Sequence, residues 1–281
     1  MNTMINDTHS IKTYIVDSFT DQAFKGNPAA VCKLDFEISD DLMLLIAKEF
    51  NLSETAFIKK LEDDNVYSIR FFSPKTEIPL CGHATLASAK VLFDNYPDIN
   101  QINFINIQNL NLKIVRDGGM ILMEFPVYET VPIDTPKELL SALGIIPKSL
   151  INSEYNDETK ILLVEISNSN ILKGLNPDFE ALYKSHNSIN GVLITAISNK
   201  NDFDFESRYF WPWSGTNEDP VTGTTHTFLT KYWSKRLNKN KMNSFQCSDR
   251  TGFMEVELID KNKLIIKSNA RIIFEGKFKA V

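Results

Sequence analysis

Arg70-Phe71-Phe72-Ser73-Pro74, followed by Glu77-Ile78-Pro79-Leu80-Cys81-Gly82-His83, has a second copy in the other half of the chain. Arg208-Tyr209-Phe210-Trp211-Pro212 matches its opening at an offset of 138. After three extra residues, Glu218-Asp219-Pro220-Val221-Thr222-Gly223-Thr224 matches the remainder at an offset of 141. Both offsets lie close to half of the 281 residues, and self-similarity at such a period marks a duplicated unit. The chain is read as two domains related by a pseudo-twofold axis.

Working outward, each copy leads from its glycine into a long apolar stretch, His83 to Phe93 and Thr224 to Trp233. The apolar residues are not confined to one stripe, so each stretch is expected to be a central helix buried on most sides by strands of its own domain. Residues 11–16, 29–34, 55–59, 67–72, 101–107, 110–115 and 120–125 are short, β-branched or aromatic runs bounded by turn residues, which reads as strands. Asp40 to Phe50 is an amphipathic helix opened by Ser39 or Asp40, and 137–143 is a further helix. The second half repeats the alternation with strands at 161–167, 191–197, 253–259, 263–267 and 271–274 and a helix at 178–184. Many strands and few helices define an α+β fold.

Composition narrows the function. With 43% hydrophobic residues, 11% aromatics and 281 positions, the chain buries a large core. Its longest apolar runs fall short of the ~20 residues of a membrane span. Residues 1–10 lack the basic start and apolar centre of a leader, so the default location is the cytoplasm. Thirty Lys and Arg against 36 Asp and Glu, a net charge of -6, argue against a polyanion surface, and nucleic acid is not an expected partner. The basic stretch Lys231 to Lys241 reads as a helix end running into a solvated loop. Cys32, Cys81 and Cys247 form no CxxC pair, and His9, His83, His186 and His226 have no ligand spacing, so neither a disulfide framework nor a metal site is indicated. Neither GxGxxG nor GxxxxGK[ST] occurs and no lysine is marked for a Schiff base, which leaves plain acid/base chemistry.

If the two helix starts face one another across a domain interface, Gly82 and Gly223 admit a small anion to free backbone N–H groups and positive dipole ends, which suits a carboxylate. Glu54, in Asn51-Leu52-Ser53-Glu54-Thr55, lies between an apolar helix and a strand, where burial is expected to raise a carboxyl pKa into the range useful for proton transfer. A cap or surface turn is the alternative for Glu54. His83 is read either as a proton-transfer group or as a packing residue, Asp219 as a second acid/base or a turn former, and Cys81 as a thiolate or a buried thiol. Thr222 stands opposite Cys81 in the repeat, which breaks the two-thiol arrangement of a symmetric racemase.

At these residues the chain resembles the phenazine-biosynthesis isomerase-like (PhzF-like) family of the diaminopimelate-epimerase-like fold. The likeness spans Asp17-Ser18-Phe19, Gly26-Asn27-Pro28-Ala29-Ala30-Val31, Asn51-Leu52-Ser53-Glu54-Thr55 and both copies of the repeat. It implies two β-barrel-like domains, each wrapped around a central helix: residues 1–128 plus 268–281 with a helix at 82–94, and residues 129–267 with a helix at 223–236. It implies that Glu54 is the acid/base, with Asp219 and His83 assisting. By the same resemblance Gly82, Gly223 and Thr224 hold a substrate carboxylate, and Asn27, Ser53 and Cys81 line the cleft between domains. It implies no cofactor, a small carboxylate-bearing metabolite as partner, and a homodimer. Gln246-Cys247-Ser248-Asp249-Arg250 is followed by Thr251-Gly252 where the family often has two glycines, and Thr224-Thr225-His226 stands where Ser-Ala-His is common.

Three readings follow. The first is an isomerase or epimerase in which Glu54 moves a proton beside a carboxylate or in an allylic system. The second is a non-catalytic binding protein that retains the cleft. The third is a thiol-dependent epimerase acting through Cys81.

Overall fold

A computed structural model describes residues 10–279, so residues 1–9, read above for a leader, lie outside the described part. The described residues divide into two compact units: 10–24 with 28–123 and 269–279, and 25–27 with 124–268. The break after 123 falls a few residues before the expected one, and residues 25–27 belong to the second unit. The cause is long-range: Arg250 Nε donates to the Gly26 carbonyl at 2.9 Å and Arg250 Nη2 to that of Lys25 at 3.0 Å, while the Gly26 N–H donates to the Thr251 carbonyl at 2.7 Å.

In the first unit, strand Asn27–Leu34 runs parallel to Glu54–Lys60, which is antiparallel to Val66–Phe72. Val66–Phe72 is antiparallel to the short strand Glu77–Ile78 and parallel to Gln101–Ile105, which continues antiparallel to Asn111–Asp117 and then Met120–Pro126. The first strand, Ser10–Ser18, is closed by the last, Ala270–Lys279, as its antiparallel partner. Helix Asp40–Phe50 begins at Ser39, whose Oγ accepts from the Leu42 N–H, and packs Met43, Ile46 and Ala47 against Phe57 and Phe72.

The second unit repeats this order. Ile161–Ile166 is parallel to Gly191–Ile197, which is antiparallel to Phe205–Trp211; that strand is antiparallel to Thr216–Asp219 and parallel to Lys241–Gln246, followed by Gly252–Leu258 and Lys263–Ser268. Parallel and antiparallel pairings recur in the same sequence, so the duplication extends well beyond the motif that revealed it. The core here is built on Leu139, Leu143, Val164, Leu182, Ile194 and Phe210.

The repeated motif has a physical reason. Arg70 grips Glu77 with Nε and Nη2, each at 2.7 Å, and Arg208 grips Glu218 the same way at 2.8 and 2.7 Å. Each guanidinium also lies over the second aromatic of its motif, Phe72 at 5.2 Å and Phe210 at 4.8 Å. A planar fork on a carboxylate fixes the approach to each central helix.

Those helices are Gly82–Asn95 and His226–Leu237. The first is buried at eleven of its fourteen positions, as expected for a helix wrapped by strands. The second starts later than the expected residue 223. Thr225 retains a helical φ of -61°, but His226, Thr227 and Phe228 donate to carbonyls three residues back, making a tight turn before the α-helix. Thr225 and Thr227 hydroxyls also bond the Thr222 and Thr224 carbonyls, at 3.1 and 2.7 Å. Among the described residues, no helix is long and apolar enough to cross a membrane.

Candidate active site

Glu54 is delivered by a short, well-punctuated segment. Helix Asp40–Phe50 stops at Asn51, which takes the left-handed conformation (φ 50°) that asparagine tolerates, and three residues later Glu54 opens the next strand. His83 comes from the first turn of the central helix, where Ser18 Oγ donates to its carbonyl at 2.7 Å. Cys81 caps that helix in extended geometry and makes no side-chain cap bond, so its sulfur is available to His83.

The three side chains meet. His83 Nε2 is 3.1 Å from Glu54 Oε2, Cys81 Sγ is 3.4 Å from His83 Nδ1, and Ser53 Oγ is 3.4 Å from His83 Nε2. Glu54, His83 and Cys81 are 9%, 8% and 7% exposed, so these contacts are scarcely diluted by water.

Electrostatics corrects the expectation for Glu54. Burial alone would raise its pKa, but the hydrogen bond and charge of His83, with bonds from Ser53 and Cys81, outweigh it and hold the carboxyl below its ordinary value. Burial works against a charge on His83, yet Cys81 and Glu54 together hold its imidazolium form well above the ordinary 6.5. Burial pushes the Cys81 thiol up. The lowered carboxyl and the raised imidazole favour a Glu54–His83 ion pair, and the raised thiol favours the neutral form of Cys81.

The donor atoms of Glu54, Cys81 and His83 all lie within 4.8 Å of one another, although their spacing in the sequence gave no ligand pattern. Oxygen, nitrogen and sulfur in that cluster are donors a borderline-soft divalent ion accepts. Here they are engaged with one another as hydrogen-bond partners.

The second unit holds a different set. Asn27, fully buried, donates from Nδ2 to Asp219 Oδ1 and to the Val221 carbonyl, both at 2.9 Å. Thr222 Oγ1 donates to Asp219 Oδ2 at 2.5 Å. Both carboxylate oxygens of Asp219 are thus held in place. Gly223 is buried and Thr224 exposed in the turn that leads into the helix. Neither central helix carries an acidic residue in its first turn.

The structure thus groups the predicted residues into Glu54, Ser53, Cys81, Gly82 and His83 in one unit, and Asn27, Asp219, Gly223 and Thr224 in the other. Sequence reasoning named Gln246 only as the start of the Gln246–Arg250 motif and gave it no role; it is 1% exposed and bonds the backbone on both sides of the Asp219–Thr222 turn. A signal was present: Asn106 stands at an offset of 140 from it and bonds the Pro79 carbonyl at 2.8 Å in the first unit.

Two copies of one strand-wrapped helix, each presenting a polar cluster at the helix start, place this chain in the class of duplicated α+β proteins with the diaminopimelate-epimerase-like fold. Within that class it belongs to the family described as phenazine biosynthesis-like protein, which it matches over residues 16–276. A mouse protein named phenazine biosynthesis-like domain-containing protein 2 is 41% identical over 286 residues, covering 95% of this chain and 98% of its own. A protein of Halalkalibacterium halodurans, named an uncharacterized isomerase, is 41% identical over 248 residues, covering 87% and 90%. The crystal structure of a PhzF family protein from Enterococcus faecalis superposes with a TM-score of 0.88 at 36% identity, covering 97% of this chain and 100% of that one.

Proposed function

We propose that this chain is an isomerase that moves a proton on a small carboxylate-bearing substrate without a cofactor, with Glu54 as the acid/base. The observation that carries the reading is the 3.1 Å contact between the Glu54 carboxylate and His83 in a buried cluster. The family and the Halalkalibacterium relative named an isomerase support the reaction class.

The step balances on the residues present. The ionised Glu54 takes a proton from a carbon beside the carboxylate or in an allylic system, and the C–H electron pair delocalises into the adjoining π system. The imidazolium of His83 steadies the charge pair while Glu54 is neutralised. Return of the proton to another carbon of the same system completes an isomerisation and restores the carboxylate. Asp219, held by Asn27 and Thr222, takes the assisting role, and Gly82, Gly223 and Thr224 offer backbone and hydroxyl groups to the substrate carboxylate. The buried, neutral Cys81 thiol favours Glu54 over a thiolate base.

The test is incubation in heavy water with a panel of amino acids, hydroxy acids and cyclic unsaturated carboxylates, read by mass spectrometry. Deuterium entering one substrate class at a non-exchangeable carbon supports the reading. Saturable binding of a panel member with no uptake anywhere favours the binding-protein alternative.

A further inference from the structure

Residues 219–222 form the turn that carries the Asp219 carboxylate and the Thr222 hydroxyl. In an ordinary four-residue turn the first carbonyl accepts directly from the fourth N–H. Here both groups end on one side chain. Gln246 Nε2 donates to the Asp219 carbonyl at 2.7 Å, and Gln246 Oε1 accepts from the Thr222 N–H at 2.9 Å. The carboxamide is inserted where the turn's own hydrogen bond would be, and Nε2 is further anchored by Ser248 Oγ at 3.2 Å.

The inserted amide spaces the two ends of the turn, and across that turn Thr222 Oγ1 donates to Asp219 Oδ2. Pro220 has no N–H, and the Val221 carbonyl is taken by Asn27. Gln246 closes strand Lys241–Gln246, which is fixed in register against Phe205–Trp211. The amide is therefore anchored to the sheet. The counterpart in the first unit, Asn106, is one methylene shorter; its Nδ2 reaches the Pro79 carbonyl, but its Oδ1 accepts from Gln108 and Leu110 in its own loop. Only the longer side chain in the second unit spans both ends of the turn.

We propose that Gln246 is a positioning residue for Asp219, fixing the direction of its carboxylate by standing inside the Asp219–Thr222 turn. The inference rests on the assisting role given to Asp219 above.

The full chain is labelled with [13Cγ]aspartate, and the Asp219 resonance is identified by its loss in Asp219→Asn. Gln246→Met keeps the length of the side chain and removes both turn hydrogen bonds together with the one to Ser248. It should move the Asp219 resonance, leave the other aspartates in place and lower Tm only slightly, and Thr222→Val should move the same line. With a substrate found by deuterium uptake, Gln246→Met should lower kcat at least about tenfold with little change in KM, as misplacement of a reacting group does. In the Asp219→Asn background it should cost almost nothing more. Gln246→Glu retains the acceptor for Thr222 and loses the donor, and serves if the methionine variant does not fold. An unmoved Asp219 resonance in a folded variant, or an undiminished kinetic loss in the Asp219→Asn background, overturns the proposal. If Asp219→Asn leaves exchange untouched, the assisting role fails, while the resonance still decides whether Gln246 orients the carboxylate.

Discussion

Acidification should separate two histidines that look alike in the sequence. His226 is 1% exposed, its ring centre lies 6.0 Å from that of Phe205, and its nitrogens face Ser244 Oγ at 3.3 Å and Thr230 Oγ1 at 3.5 Å. Hydroxyls do not compensate a charge, so burial pulls its pKa from 6.5 to about 3. Because the folded value lies below the unfolded one, the stabilisation is complete above pH 6.5 and is lost as the pH falls toward about 3. At about 1.36 kcal/mol per pH unit the whole loss is roughly 5 kcal/mol, of which about 3 kcal/mol has gone by pH 4.5. Trp211, Trp213 and Trp233 all lie in the second unit, so tryptophan fluorescence in urea titrations reports that unit alone. His226→Gln should lose about 3 kcal/mol less than wild type between pH 7 and pH 4.5. His83 has the opposite sign: its pKa is raised, so its contribution is present below 6.5 and fades as the pH rises through the folded value. An acid sensitivity unchanged by His226→Gln, or an imidazole of His226 titrating near 6.5 in the folded protein, would refute the reasoning.

Further outcomes follow from the same contacts. Arg208→Met should cost about 3–5 kcal/mol, because Glu218 and the Leu172 and Leu175 carbonyls lose a buried partner, whereas Arg70→Met should cost about 1 kcal/mol, since its second acid, Asp40, has a 73% exposed side chain. Equal losses in thermal unfolding would contradict this ordering. The pH–rate profile of a substrate should stay flat from below the ordinary carboxyl range to well above pH 6.5, because Glu54 is lowered and His83 raised. Ser53→Ala removes a bond that lowers the Glu54 pKa and should move the acid limb upward. A limb near pH 6.5 in wild type would count against the carboxylate–imidazolium pair.

The duplicated fold was legible because the residues that announce it act locally. Arg70 with Glu77 and Arg208 with Glu218 fork across one hairpin, and arginine, aromatic and glutamate recur for that reason. The Glu54 environment was legible only in part. Its place between a helix and a strand implied burial, but the direction of its pKa depends on His83, which is remote in the sequence and meets it only through the fold. The role of Gln246, named only as part of a motif, was hidden for a different reason. Strand Lys241–Gln246 buries Met242, Ser244 and Gln246, and a buried face with two polar side chains does not alternate in hydropathy. The second helix was placed too early because glycine before threonines reads as a helix start, whereas the threonine hydroxyls bond nearby carbonyls within a tighter turn.

Glu54 is where the account is most exposed. The decisive measurement is solvent-deuterium uptake into the substrate by wild type, Glu54→Gln and Cys81→Ser, with ligand affinity measured in parallel. The account predicts that Glu54→Gln loses at least about a hundredfold in exchange rate while binding stays within a few-fold, and that Cys81→Ser retains most of its rate. Exchange by Glu54→Gln at the wild-type rate, or its abolition in Cys81→Ser alone, would contradict it.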